Sequence, residues 1–236
     1  MAKVTWAGQA CFQISVSSSI SNGKQAKDHQ LNIVIDPFGE IGLKIPNFEA
    51  NILLVTHNHE DHNNTKAIKP ARSATGVAGG ENYFLIAGPG EYEIKGVFVQ
   101  GISSFHDDKE GKERGKNIIY TIEAENIKFC HLGDLGQKQL TDEQLEKIGE
   151  VDILMIPVGG VYTISSNEAI KIVGQIEPKI IIPMHYYLPK LKFKLDDVGK
   201  FLKTMGKNSV ETLDKFTVKA NSLPKEREMK IVVLKP

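Results

Sequence analysis

The sequence predicts an α/β fold in which short buried strands alternate with amphipathic helices. Apolar runs at 52–55, 151–158 and 179–183 are typical of buried strands because they are brief and rich in β-branched residues. Helical spacing of apolar residues at 141–148 and 167–176 predicts a helix before each of the last two runs. The first and last of these strands run into histidine, so both halves of the chain carry the same strand-to-histidine arrangement.

The N-terminal part predicts a hairpin and one further strand ahead of the first histidines. The hairpin covers 4–16 and is broken at Gly8. The polar, Ser/Lys-rich stretch at 17–30 is typical of a solvated loop, and its His29 is expected to be exposed. A short apolar strand follows at 31–35.

Further elements complete the predicted chain order. Strands are expected at 97–104, 117–123, 126–131 and 229–234, and additional helices at 63–69 and 190–207. The glycine-rich stretch at 75–90 contains neither GxGxxG nor a Walker lysine, so turns are the better interpretation. No long linker or low-complexity segment divides the chain, and 1–236 is therefore predicted to be one domain.

The composition argues against several classes of function. The chain has 236 residues, and 41% of them are hydrophobic, which supports a substantial core. Its 29 basic and 29 acidic side chains cancel, so neither nucleic acid nor a membrane is an expected partner. No apolar run has the length of a membrane span, and no secretory leader pattern is visible. Cys11 and Cys130 lie in strand-like segments and are expected to be reduced core residues of a cytoplasmic protein.

The candidate functional side chains are concentrated just after the strand at 52–55. Four potential metal ligands fall within six residues, namely His57, His59, Asp61 and His62. Imidazole suits zinc and similar divalent ions, and a carboxylate adds an anionic ligand. His57 and His59 are two residues apart on extended backbone, so they point the same way and can bind one ion. Asp61 and His62 follow where the chain should turn, so they point elsewhere and can serve a second ion.

Two other interpretations of this segment fit less well. A polar loop with capping histidines could also follow a strand, but ligand-type residues this dense are costly to place without a metal. A zincin helix would need histidine at position 63 to complete HExxH after His59-Glu60, and position 63 is asparagine. The segment therefore predicts a metal site where a strand passes into a loop.

The same residues resemble a known family signature. His57-x-His59-x-Asp61-His62 is similar to the HxHxDH motif of the metallo-β-lactamase fold superfamily. Further motifs resemble the branch of zinc-dependent hydrolases that includes the L-ascorbate-6-phosphate lactonases: Ile35-Asp36-Pro37, His106-Asp107, His131-Leu132-Gly133-Asp134 and Ile182-Pro183-Met184-His185-Tyr186. The resemblance implies a four-layer αββα sandwich, with two sheets face to face and helices outside. It is specific for the fold and says little about the substrate.

The resemblance also implies a complete ligand set for two ions. One ion would be held by His57, His59 and His106, and the other by Asp61, His62 and His185, with Asp134 between them. The implied cofactors are two divalent ions. Zinc is the first choice, and manganese or iron are alternatives because sites of histidine and carboxylate accept several ions.

Four residues near these motifs have further expected positions or roles, and a fifth position departs from the family pattern. Asp36 is expected to accept the second N–H of a metal-bound histidine, although a turn aspartate before proline is the alternative. Arg114 is either a contact to an anionic substrate group or a solvated loop charge. Tyr186 is a candidate substrate contact, and His131 is expected to pack outside the ligand set. Position 9 is often histidine in the resembling family and is Gln9 here.

Together these residues predict a metal-dependent hydrolase. Two ions roughly 3.5–4 Å apart can share a water, lower its pKa to supply hydroxide and polarise the bond under attack. Asp61 would orient the water and carry a proton to the leaving group. The expected substrate is a small molecule, anionic or neutral, with an ester, lactone or phosphodiester bond. The alternatives are a nuclease of the same fold, which the neutral net charge disfavours, and a non-catalytic metal-binding protein. Nothing in the sequence indicates an oligomeric state.

Overall fold

The computed structural model describes residues 1–18, 29–71, 82–225 and 228–236. Most of the predicted loop at 17–30, the side chain of His29 and the first part of the stretch at 75–90 lie outside the described residues. Within the described ranges, the chain forms two main sheets that share one hydrophobic core. No helix in these ranges is long and apolar enough to cross a lipid bilayer.

The strands and helices are numbered in chain order. Strands β1 to β8 are Ala2–Gly8, Cys11–Ser18, His29–Ile35, Glu49–Ala50, Ile52–Leu54, Lys69–Pro70, Phe84–Ile86 and Gly90–Ile94. Strands β9 to β17 are Val97–Phe105, Lys116–Ala124, Ile127–His131, Ile153–Pro157, Ile180–Met184, Thr212–Leu213, Phe216–Val218, Lys230–Ile231 and Val233–Leu234. Helices α1 to α3 are Asp142–Ile148, Ser166–Ile176 and Val198–Thr204, and 3-10 turns lie at Thr65–Ala67 and Ala220–Ser222.

The two main sheets divide the chain largely by halves. Among the described residues, the first sheet has the order β15-β1-β2-β3-β5-β7 and the second the order β16-β13-β12-β11-β10-β9-β8. Strands β3, β5 and β7 are parallel, and so are β11, β12, β13 and β16. The carboxyl ends of parallel strands gather at one edge of a sheet, and the loops that leave β3, β5, β11 and β13 therefore start from such edges.

The main core lies between the sheets. Ile33 and Leu54 of the first sheet and Leu154 of the second belong to one cluster of buried residues. Val34 and Leu53 alternate with them along β3 and β5, point to the other face and form a separate small cluster. Helix α1 contacts β9, and α2 contacts both α1 and α3. Two sheets packed face to face with helices alongside confirm the predicted αββα sandwich.

Capped helices and short parallel strands account for the elements that the sequence pattern predicts well. Thr141 and Gln144 form a reciprocal capping box at the start of α1, and Ser165 and Glu168 form one at the start of α2. These caps fix the helices predicted at 141–148 and 167–176. The strands predicted around 52–55, 97–104 and 179–183 are present with boundaries shifted by one or two residues.

The prediction of a helix at 63–69 is wrong, because the segment contains one 3-10 turn followed by β6. Asn64 donates its backbone N–H to the Pro37 carbonyl at 2.7 Å and its side-chain amide to the Phe38 carbonyl at 3.0 Å. These bonds tie the segment to the loop after β3. Lys69 then pairs with Glu49 as a strand, so a second helical turn cannot form.

The C-terminal predictions need two corrections. The helix predicted at 190–207 shortens to α3, because Asp197 is its N-cap and accepts a hydrogen bond from the Lys200 N–H. The strand predicted at 229–234 divides at Val232 into β16, which pairs with β13, and β17, which pairs with β14. Residues 190–196 are therefore free to form a loop, and that loop brings Phe193 to the cleft described below.

Candidate metal centre

The loop after β5 is fixed by both sheets. Its Val55 N–H donates to the Ile86 carbonyl of the first sheet at 2.9 Å, and the Thr56 carbonyl accepts from the Ile118 N–H of the second sheet at 3.0 Å. Thr56 is buried, and its backbone N–H donates to Oδ1 of Asp36 at 2.8 Å. The segment 57–62, which contains four of the candidate ligands, therefore starts from a point that both sheets hold in place.

The first group of candidate ligands consists of His57, His59 and His106, which offer nitrogen atoms within 4.8 Å of one another. His57 and His106 are buried, whereas His59 is exposed. His106 follows the end of β9, so it reaches His57 and His59 from the second sheet. The structure thus brings together the three histidines that the resemblance implies for one ion.

The second group consists of Asp61, His62, Asp134 and His185, again with ligand atoms within 4.8 Å of one another. Oδ2 of Asp134 lies 3.2 Å from Nε2 of His62 and 3.2 Å from Nε2 of His185. The same oxygen lies 3.3 Å from Nε2 of His106, which belongs to the first group. Ligands about 2.0–2.2 Å from a common ion lie at such separations from one another, so Asp134 is positioned between the groups.

Neighbouring side chains fix the tautomers of two of these histidines. The Thr56 hydroxyl donates to Oδ2 of Asp36 at 2.6 Å, and it therefore accepts from Nδ1–H of His57 at 2.9 Å. Nδ1 of His62 lies 3.0 Å from the same Asp36 oxygen and donates to it. In the neutral ring, each of these imidazoles has its lone pair on Nε2, the form that binds a metal. Asp36 thus acts directly on His62 and, through Thr56, on His57.

The buried atoms of the centre fit a cation. Nε2 of His57, Nε2 of His62 and Oδ1 of Asp134 are buried without a hydrogen-bond partner among the described residues. Leaving a buried polar atom unpaired costs about 1–3 kcal/mol, and three such atoms in two adjacent groups of candidate ligands is an unusual concentration. Divalent ions bound by imidazole and carboxylate would satisfy them, so the residues present fit the metal that the family resemblance implies.

The charge states favour the same conclusion. Burial lowers the pKa of His57 to about 3, assisted by His62, and burial also lowers the pKa of His106. Burial works to raise the pKa of Asp134, yet His185 and His62 hold it well below its usual range. For His62, burial is outweighed by Asp134 and Asp36, which raise its pKa well above the ordinary value. The shifts at His57, His106 and Asp134 favour the neutral imidazole and ionised carboxylate that ligate metals. The raised pKa of His62 shows that the two carboxylates attract positive charge, which a metal ion would supply in place of the second proton on the ring.

His131 lies outside both groups because neither of its nitrogens is available. The ring is buried; Nε2–H donates to the Ala10 carbonyl at 2.9 Å, and Nδ1 accepts from the Gly133 N–H at 3.1 Å. Burial also lowers its pKa, which keeps the ring neutral. The histidine therefore packs between β2 and the loop that carries Asp134.

Two positioning residues were not identified from the sequence. Gln9 donates its side-chain amide to Oδ2 of Asp61 at 2.9 Å, and its carbonyl accepts from the His185 N–H at 3.0 Å. Asn117 accepts from the Asp134 N–H at 3.0 Å and donates to the Leu132 carbonyl at 2.9 Å. The only signal for Gln9 was the histidine that relatives often carry there. Asn117 belongs to an Arg114-Gly115-x-Asn117 pattern that recurs in the resembling family, but that pattern predicted no role for it.

A cleft of about 410 Å³ opens beside the two groups. Its walls contain metal-ligand candidates together with acidic, basic and apolar side chains: Ile41, His59, Glu60, Asp61, His106, Arg114, Asp134, Tyr162, His185 and Phe193. Arg114 therefore lies in the cleft, as one of its two interpretations requires. The volume is within the range of small-molecule sites.

Tyr186 does not line this cleft, and its expected contact with substrate needs correction. The side chain is buried, its ring lies 5.0 Å from that of Trp6, and its hydroxyl donates to the Leu234 carbonyl at 3.4 Å. His185 has a φ of +50°, so the chain bends sharply at the end of β13. At this bend, His185 faces the metal centre and Tyr186 packs in the core.

Comparisons with known proteins agree with this geometry. Residues 3–185 match the family model described as the beta-lactamase superfamily domain. A UPF0173 metal-dependent hydrolase of Thermococcus onnurineus is 30% identical over 203 residues, covering 79% of this chain and 85% of the relative. A second UPF0173 metal-dependent hydrolase, from Thermoplasma volcanium, is also 30% identical over 203 residues, covering 78% and 83%.

Solved structures give the same result. A candidate Zn-dependent hydrolase of the metallo-β-lactamase superfamily from Thermotoga maritima aligns over 100% of both chains, with a TM-score of 0.73 and 36% identity. Igni18, a metallo hydrolase from Ignicoccus hospitalis, shares the fold with a TM-score of 0.58 at 20% identity, covering 92% and 99% of the chains. The chain therefore belongs to the metallo-β-lactamase superfamily and is one of its metal-dependent hydrolases.

Proposed function

We propose that the chain is a dinuclear hydrolase that cleaves an ester, lactone or phosphodiester bond of a small molecule. The observation that carries this proposal is the position of Asp134, whose Oδ2 lies within 3.3 Å of imidazole nitrogens from both ligand groups. A single carboxylate oxygen that reaches both groups is suited to bridge two neighbouring ions. Zinc is the first choice of metal, with manganese or iron as alternatives.

Bound divalent ions would lower the pKa of a shared water and polarise the oxygen of the bond under attack. The protein's own residues orient the reactants and move the proton. Asp61 faces the cleft, and the Gln9 amide holds its Oδ2 in place. The carboxylate can then accept the proton of the attacking water and deliver it to the leaving oxygen. His57, His59 and His106 would hold one ion, and Asp61, His62 and His185 the other.

Neither cysteine is suited to act as a nucleophile. Cys11 and Cys130 are buried free thiols. Burial raises the pKa of Cys130 to about 12 and raises that of Cys11 well above its usual value, so neither forms a thiolate near neutral pH. Because thiols persist in reducing compartments, the same observation supports our proposal that the protein is cytoplasmic.

The two alternatives are less well supported. A nuclease must contact a row of phosphates, but Arg114 is the sole lysine or arginine among the described residues that line the cleft. A purely structural metal site is closed, whereas these candidate ligands border a cleft of about 410 Å³. A small-molecule substrate that reaches the ions fits both observations. The resemblance to L-ascorbate-6-phosphate lactonases makes a lactone the first substrate to test.

The test is a hydrolysis screen on protein reconstituted with zinc, manganese or iron and analysed for metal content. We expect turnover of a lactone, a carboxylic ester or a phosphodiester that requires metal and is abolished by a chelator. The His62→Ala variant is the matched control for activity from a contaminating enzyme. Absence of turnover on all three bond types with two bound ions would contradict the proposal.

A further inference from the structure

We propose that Arg114, Tyr162 and Phe193, here called the recognition wall, bind a substrate with one anionic group carried on an apolar or planar moiety. The anionic group would be a carboxylate or a phosphate-type group, held by the Arg114 guanidinium. This inference rests on the proposed hydrolase function, because it names the substrate class of the same cleft. Four observations support it: a fixed backbone, an unpaired cation, a strained turn and the charge balance of the cleft.

The backbone that carries Arg114 is fixed from beneath by a buried carboxylate. Oδ1 of Asp107 accepts from the N–H groups of Lys109 and Gly111, both at 2.8 Å. Oδ2 accepts from the N–H groups of Glu113 at 2.9 Å and Arg114 at 2.7 Å. Asp107 is only 2% exposed. Four charge-assisted bonds from one loop hold residue 114 at a defined position beside His106, which a loop serving only as a solvated connection would not need.

The Arg114 guanidinium is left without a carboxylate partner. Asp107 is occupied by backbone N–H groups, and the other acids of the loop pair with lysines, Glu113 with Lys109 and Glu110 with Lys112. No carboxylate among the described residues lies within ion-pair distance of Arg114. Its guanidinium carbon instead lies 5.9 Å from the centroid of the Tyr162 ring. A cation placed over an aromatic face keeps its charge and its N–H donors available for an anion.

The turn that presents Tyr162 is strained and tightly packed. Val161 has a φ of +58°, which is a costly conformation for a β-branched residue. The backbone just before the turn packs closely against the chain after β13: a Cβ on Gly159 would lie 2.1 Å from the His185 carbonyl oxygen, and the Asp196 N–H donates to the Gly159 carbonyl at 2.8 Å. Strain of this kind is typical of functional sites.

The strained turn leaves Tyr162 41% exposed, although it is a large aromatic residue. The ring packs edge-on against Phe193, with centroids 5.8 Å apart. The exposed Tyr162 ring and the partly buried Phe193 ring both line the cleft, so they are available for contact with a planar or apolar ligand group.

The charge balance of the cleft limits the substrate to one anionic group outside the reacting bond. Arg114 is the sole lysine or arginine in the described lining, and Glu60 and Asp61 line the same cleft. A polyanion would meet these carboxylates without further cations to compensate. Ile41 adds to the apolar surface of the recognition wall. A small anionic molecule with an apolar portion matches both features.

The experiment compares three esters that share a phenyl group and the scissile bond. One is neutral, one carries a remote carboxylate, and one a remote phosphonate. With the zinc-loaded enzyme, we expect kcat/KM for at least one anionic ester to exceed that for the neutral ester about 10-fold or more. Arg114→Gln should reduce this ratio about 10-fold, chiefly through KM. Lys112→Gln removes a cation from the same loop but outside the cleft, and it should leave the ratio unchanged.

A second variant tests the aromatic part of the recognition wall. Tyr162→Leu should lower the preference for a phenyl ester over a small alkyl ester about 3–10-fold while leaving metal content unchanged. An equal anionic-to-neutral ratio in wild type and Arg114→Gln would overturn the proposal, as would the same loss in Lys112→Gln.

If no ester is hydrolysed, that result counts against the proposed function and not against the recognition wall. The recognition wall is then tested separately by measuring the binding of anions. Calorimetry with phenylacetate and benzylphosphonate on zinc-loaded protein should show about 10-fold weaker binding of at least one anion in Arg114→Gln than in Lys112→Gln. Equal affinities of both variants for both anions would overturn the inference.

Discussion

The two ligand groups differ in charge and in burial. The first consists of three histidines, of which His59 is exposed. The second combines two histidines with the carboxylates of Asp61 and Asp134, and all of its members except Asp61 are buried. A divalent ion is attracted more strongly by two carboxylates than by neutral imidazoles, and a buried site loses its ion less readily to solvent.

The groups also differ in the contacts that hold their side chains. In the second group, Gln9 holds the side chain of Asp61, Asp36 holds that of His62, and Asn117 holds the backbone N–H of Asp134. In the first group, Thr56 holds the side chain of His57. The side chain of His59 makes no hydrogen bond with the described residues. Ligands fixed before the metal arrives lose less conformational freedom on binding. We therefore expect the second group to bind its ion more tightly and the first group to release its ion first to a chelator.

The largest expected effect follows from Asp61→Asn. The amide is a poorer ligand and cannot accept the proton of the attacking water, so turnover should fall by on the order of 10²–10⁴. Folding should be nearly unaffected, because Asp61 lies at the rim of the cleft and is partly exposed. Turnover and thermal melts, both measured with metal present, check this. Wild-type turnover in a fully metallated variant would show that Asp61 neither binds the ion nor moves the proton.

Removing one histidine from each group tests the division between them. His185→Ala should weaken binding of the second ion by about 100-fold or more, and His106→Ala should do so for the first ion. Each variant should retain about one equivalent of metal. Metal titration followed by elemental analysis distinguishes them. Loss of both ions in both variants would mean that the groups act as one cooperative site.

The histidine motif and the buried strands could be predicted from sequence because they depend on local order. His57, His59, Asp61 and His62 are neighbours along the chain, and the strand before them reads as buried from composition alone. The remote ligands required the family resemblance, because residues as far apart as His62 and His185 are brought together by sheet topology. No pattern along one strand encodes that topology.

Side-chain contacts across the fold could not be predicted in the same way. Gln9 meets Asp61 across 52 residues, and that contact depends on the β1–β2 turn facing the loop after β5. The burial of Tyr186 was not predicted because the bend at His185 depends on a positive φ at a non-glycine residue. The helix predicted at 190–207 was too long because the lysine-rich amphipathic pattern continues across the Asp197 cap.

A smaller effect is expected from the side chains that fix the tautomers. Asp36→Asn should weaken binding of the second ion about 10–100-fold, because His62 loses its carboxylate partner. Binding of the first ion should weaken less, because Asp36 acts on His57 only through Thr56. Thr56→Val is the matched variant of similar shape. It should weaken mainly the binding of the first ion, because Nδ1–H of His57 loses its hydrogen-bond acceptor. Binding isotherms for both variants check the order. The reverse order would show that Asp36 serves His57 more than His62.

The smallest effect is expected at Gln9. Gln9→Leu removes one hydrogen bond to a carboxylate, worth about 1–2 kcal/mol, and should lower kcat about 5–30-fold at unchanged metal content. Gln9→His restores a hydrogen-bond donor at this position, and it should recover part of the loss. Steady-state kinetics on metal-analysed protein provide the comparison. Equal activity of Gln9→Leu and wild type would remove Gln9 from the mechanism.

The most direct test of the account is the metal stoichiometry of the wild-type protein with a stepwise chelator titration. Two ligand groups joined by Asp134 predict about two equivalents of divalent metal per chain. The first equivalent should be lost at lower chelator concentration than the second, because the groups differ in charge and support. A reproducible value near zero after reconstitution, or one equivalent that saturates both groups, would contradict the dinuclear centre.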